Sequence, residues 1–60
     1  MRKSLVANVP ISAGTVLTEE MLISKRPGTG IRPGQLGEVL GKTAQRDIEE
    51  DTLLKWEDLD

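Results

Sequence analysis

Apolar residues fall in short clusters along this chain and never in a long periodic run. Residues 4–8 set Leu5 and Ala7 out of phase with Val6 and Asn8, which predicts a strand. Pro10 has no N–H to give to a ladder, so it marks a strand end or edge. Ser12, Ala13 and Gly14 predict a turn, with Gly14 free to take positive φ. Thr18 stands where an N-cap would, and Glu19 and Glu20 follow where a helix dipole favours acids. Residues 23–26 leave as an extended segment, because Pro27 bars Arg26 from the helical region. Pro33 suits the first position of a short helix. Leu36, Val39 and Leu40 then share its face, and Gly41 ends it. Gly34 and Gly37 weaken that helix to a turn or two. Residues 43–48 predict another strand, followed by an acidic turn at Glu49, Glu50 and Asp51. The pattern is mainly β, built of short irregular strands and single helical turns.

The same pattern occurs twice. Shifting the sequence by 37 residues superposes 7–22 on 44–59 with six identities: Ala7/Ala44, Ile11/Ile48, Thr15/Thr52, Leu17/Leu54, Glu20/Glu57 and Leu22/Leu59. Two copies are too few for a solenoid, but they suffice for a body with approximate two-fold symmetry. The expected core is Leu5, Ala7, Val9, Ile11, Leu17, Met21, Leu22, Ile31, Leu36, Val39, Leu40, Ala44, Ile48, Leu53 and Leu54. Trp56 is left to pack on the body or on a neighbouring domain.

Sixty residues make a single domain, 1–60, whose small core leaves it marginally stable. No Cys and no His are present, which excludes disulfides, zinc sites and His-based acid–base catalysis. The lone aromatic, Trp56, gives little scope for stacking on bases. The net charge of −2 is unevenly spread. Residues 1–46 carry seven cations against three acids, and residues 47–60 carry one cation against seven acids. That asymmetry fits complementary surfaces better than a nucleic-acid footprint. No apolar run approaches a membrane span, and no signal-peptide core stands at the N-terminus, so a cytoplasmic setting is expected. Opening with Met1 directly before a strand reads as a domain excised from a longer chain.

Residues 25–37 hold four of the six glycines, two of the three prolines and three cations. The fragment misses the spacing of a dinucleotide-binding glycine motif and is no phosphate cradle. Taken alone, the segment reads as a surface loop with an idle Arg26, stiffened at Pro27 and freed at Gly28 and Gly30.

Three ordered stretches then carry a family resemblance: I-x-x-G-T-x-L-T-x-x-M-L at 11–22, K-R-P-G-x-G-I at 25–31, and L-G-K followed by R-D-I-E-E-D at 40–51. Together they resemble the SAF, or antifreeze-like, domain of sialic acid synthases. The resemblance implies a β-clip fold with internal pseudo-two-fold symmetry. It implies an accessory role, as a lid over the TIM-barrel active site of the partner subunit in a domain-swapped homodimer. There the barrel condenses phosphoenolpyruvate with N-acetylmannosamine or a related acetamido sugar, using a divalent metal (Mn or Mg). Arg26 is the position implied to bind the sugar's N-acetyl group, with Lys25, Gly28, Gly30 and Ile31 as neighbours in the same run. No catalysis is expected of the chain alone, and by itself it is expected to be a monomer. The same resemblance leaves two alternatives open. One is a free-standing ice-binding protein, with Thr15, Thr18 and Thr43 on the equivalent surface. The other is an SAF module of an assembly or chaperone protein.

Overall fold

A computed structural model describes residues 2–60, so Met1 lies outside the described residues. Strand β1 (Ser4–Ala7) pairs antiparallel with β2 (Leu22–Lys25), with Ser4 opposite Lys25 and Ala7 opposite Leu22. All four residues of β1 are buried, not just the alternate pair that the sequence suggests. β1 is also paired on both edges. On the edge away from β2, the Leu5 N–H donates to the Ile31 carbonyl (2.8 Å), and the Leu54 N–H donates to the Leu5 carbonyl (3.0 Å). Val6 is bridged there to Leu53 and is also buried, which the alternation did not suggest.

The remaining pairings are isolated bridges. The expected strand over 43–48 is not continuous. Thr43 bridges to Val16, Ala44 to Leu59 and Ile48 to Ile11, with a bend at 45–46 between them. Each of these residues answers to a different partner, so no single ladder forms.

The 37-residue offset recurs in the backbone. The Ala7–Leu22 pairing has its counterpart in Ala44–Leu59, and Val16–Thr43 in Leu53–Val6. The Gly14 N–H donates to the Ala44 carbonyl at 2.8 Å, and the Asp51 N–H donates to the Ala7 carbonyl at 2.7 Å. Gly14 (φ +91°) and Asp51 (φ +69°) occupy matching left-handed positions. The 3-10 turns Glu19–Met21 and Trp56–Asp58 also stand 37 residues apart. Thr18 precedes the first of these turns in extended backbone, but its side chain makes no capping hydrogen bond.

Pro33 opens a 3-10 turn, Pro33–Gln35, which runs into the single helical turn α1 (Leu36–Val39). The Arg32 N–H donates to the Gln35 side-chain oxygen and closes the entry. Gly41, at φ +89°, turns the chain out of α1 as the sequence predicts.

The core gathers Leu5, Ala7, Ile11, Leu17, Ile31, Val39, Ala44, Ile48, Leu54 and Leu59, with Met21, Leu22 and Leu36 packed against it. Leu40 and Leu53 are half-buried. Val9 is 39% exposed and is not a core residue, because the bend at Asn8 and Val9 turns it outward before Ile11 comes back in. Leu59 is buried where no core residue was expected; it is the repeat mate of Leu22.

Candidate functional site

The loop that follows β2 is tied to β1 by the Ser4 side chain. β2 ends at Lys25, directly opposite Ser4. Arg26 comes next, joined to Pro27 by a cis peptide bond. The Ser4 hydroxyl donates to the Pro27 carbonyl (2.6 Å) and accepts from the Gly30 N–H (2.9 Å). Ile31 then enters the core at 2% exposure, and its carbonyl accepts from the Leu5 N–H. The loop therefore leaves β2 opposite Ser4 and comes back beside β1 at Ile31, six residues on.

Gly28 is sterically required here, and Gly30 is tightly placed. A Cβ on Gly28 would collide with the Cβ of Arg2 and lie 2.9 Å from its backbone carbonyl carbon. A Cβ on Gly30 would stand 3.3 Å from the Leu54 carbonyl oxygen, closer than most real contacts. Both glycines serve close approach of backbone to backbone.

The cations on this loop have different surroundings. The Lys25 ammonium lies 2.5 Å from an Asp51 carboxylate oxygen, and both side chains are largely exposed. Among the described residues, Arg26 makes neither an ion pair nor a side-chain hydrogen bond, and it is exposed. Arg2, Lys3 and Arg32 are exposed too, and Arg2 packs directly against Gly28. Arg26 thus stands exposed and unpaired among the described residues, as Arg32 does further along, while the preceding ammonium is engaged by an acid.

The threonines named by the second reading come partly together. Thr43 bridges to Val16, and the Ala44 N–H donates to the Thr15 carbonyl (2.9 Å). Val16 is 53% exposed between them. Thr18 is exposed, and the exposed acids Glu19 and Glu20 follow it at once.

The acidic segment is in part structural. Asp58 is nearly buried; its carboxylate accepts from the Lys55 N–H and faces the Arg46 guanidinium at 3.4 Å. Trp56 is 43% exposed and borders an open groove with Leu53, Ile31 and Gly30. Among the described residues, no cluster of three or more His, Cys, Asp or Glu side chains could hold a metal ion.

Sequence reasoning singled out Lys25, Arg26, Gly28, Gly30 and Ile31, and these form one continuous loop. It missed Ser4, Asp51 and Arg2, which hold or border that loop. Only Asp51 carried a signal, as the repeat mate of Gly14.

Residues 2–60 match the SAF domain. The chain belongs to the SAF domain family. This SAF domain is 42% identical over 55 residues to N,N'-diacetyllegionaminic acid synthase of Campylobacter jejuni, covering 92% of the chain. It is 41% identical over 56 residues to a pseudaminic acid synthase of the same species, covering 93% of the chain. In both cases it spans only 16% of the relative's length. Its fold matches the solution structure of the antifreeze-protein-like domain in human N-acetylneuraminic acid phosphate synthase. The TM-score is 0.91 at 36% identity, over 95% of this chain and 73% of that one.

Proposed function

We propose that this SAF domain is the accessory lid of a sialic acid synthase-type enzyme, and that Arg26 is its contact to the substrate. The barrel of the partner subunit in a swapped homodimer is the surface it covers. The substrate is an acetamido sugar, which the barrel condenses with phosphoenolpyruvate. The observation that carries the reading is Arg26 itself: an exposed guanidinium without a partner among the described residues, on a loop tied to β1 on both sides. The relatives are named as synthases of N,N'-diacetyllegionaminic acid and of pseudaminic acid, which supports the substrate class.

The chemistry follows from the group. A guanidinium offers five N–H donors in a rigid plane and cannot lose its charge. An acetamido carbonyl presents two lone pairs to such a plane. A loop already folded spares most of the ordering cost of that contact. Lys25 serves differently, since its ammonium is engaged by Asp51.

Steady-state kinetics of the synthase carrying this domain test the reading. Arg26→Ala removes a charge-assisted hydrogen bond of about 1.5–3 kcal/mol, so kcat/KM for the sugar should fall roughly ten- to a hundredfold. The KM for phosphoenolpyruvate should stay put. Equal effects on both substrates, or none on either, would sink the assignment.

A further inference from the structure

We infer that Ser4 is a positioning residue for Arg26, acting through its hydroxyl on the backbone of the arginine loop; the inference rests on the reading of Arg26 as the sugar contact. Ser4 is fully buried, at 0% exposure, in a strand whose other members are Leu, Val and Ala. A polar side chain so placed is retained only if its hydrogen bonds are made, and here both are. The hydroxyl gives its proton to the Pro27 carbonyl and takes one from the Gly30 N–H. These are the only hydrogen bonds of residues 27–30 among the described residues.

The arrangement brackets Arg26. On its N-terminal side, Lys25 is paired in register with Ser4. On its C-terminal side, Pro27 is held by the Ser4 hydroxyl. One residue thus fixes both chain neighbours of the guanidinium-bearing residue, once through pairing and once through its side chain. A hydroxyl is the smallest group able to donate and accept at one point. Ala at this position would leave a carbonyl and an N–H of the loop without partners, and the loop would be free to take other shapes.

The test is a double-mutant cycle in the synthase carrying this domain, with Ser4→Ala, Arg26→Ala and both together. Ser4→Ala should raise the sugar KM about tenfold and leave the phosphoenolpyruvate KM unchanged. In the Arg26→Ala background it should add nothing, because a positioning residue has nothing left to position. Ser4→Cys, similar in size but a poor hydrogen-bond partner, is read the same way if Ser4→Ala does not fold. If Arg26→Ala raises the sugar KM while the Ser4 variants do not, Ser4 is no positioning residue and the lid reading survives. The same holds if the two effects multiply. If Arg26→Ala itself leaves the sugar KM untouched, the lid reading falls and takes the inference with it.

Discussion

Ile11 and Ile48 stand 37 residues apart and exchange both of their backbone hydrogen bonds with each other, at 2.8 and 2.7 Å. Both side chains are buried in the core, at 3% and 5% exposure. Each is the other's counterpart in the sequence repeat, so the two halves meet where the repeat meets itself. Trimming either side chain should cost about the same. Ile11→Val and Ile48→Val are each expected to lower stability by about 0.5–1.5 kcal/mol. Thermal melts of the two variants check this. A silent change at one position beside a full loss at the other would contradict the shared role.

The glycines of the 25–37 segment divide by their surroundings. Gly34 and Gly37 face open space in helical turns, so a methyl group there meets nothing. Gly37→Ala should raise stability by about 0.4–1 kcal/mol, through the unfolded chain and better helix propensity. Gly28→Ala should lower it by more than about 1 kcal/mol, because the Arg2 backbone occupies the space. Chemical denaturation of the two variants should therefore move the midpoint in opposite directions.

Asp51 combines two burdens, a left-handed backbone and the ion pair to Lys25. The pair is exposed, so Lys25→Ala should cost no more than about 1 kcal/mol. Asp51→Ala keeps a Cβ at positive φ without a polar side chain to ease it, and should cost about 1–2 kcal/mol. Asp51→Gly relieves the backbone and should stay within about 0.5 kcal/mol of the parent. Equal losses for the Ala and Gly variants would mean that the ion pair, and not the backbone, governs this turn.

An ice-ordering surface needs weakly hydrated groups, whereas Glu19 and Glu20 are exposed beside Thr18. The purified chain is therefore expected to give no thermal hysteresis above that of a control protein at equal concentration. Measurable hysteresis, abolished by substituting Thr15 or Thr18, would favour the free-standing ice-binding alternative.

Much of the fold was legible in the residues. Gly14 and Gly41 marked two turns, Pro33 marked the start of the short helical segment, and Ile11 and Leu17 pointed to their buried mates Ile48 and Leu54. Other features were not legible, because they depend on partners distant in sequence. The strand expected over 43–48 breaks because Ala44 and Ile48 answer to Leu59 and Ile11. Val9 read as core by its chemistry alone, yet the bend before Pro10 exposes it. The loop announced itself through Pro27, Gly28 and Gly30. Its anchor did not, since nothing in an isolated Ser4 signals a contact 23 and 26 residues away.

The central claim is that this domain completes the active site of the other subunit through Arg26. The most direct measurement mixes two forms of the parent synthase and assays them at sugar concentrations well below KM: one inactive, with a disabled barrel and an intact SAF domain, the other impaired, with an intact barrel and Arg26→Ala. If the domain acts across the dimer, mixed dimers hold one complete site. Activity should then rise on subunit exchange to about a quarter of the unmutated level, the statistical share for random pairing. If mixing restores nothing while exchange is shown to occur, Arg26 does not act on the partner's site and the account is wrong.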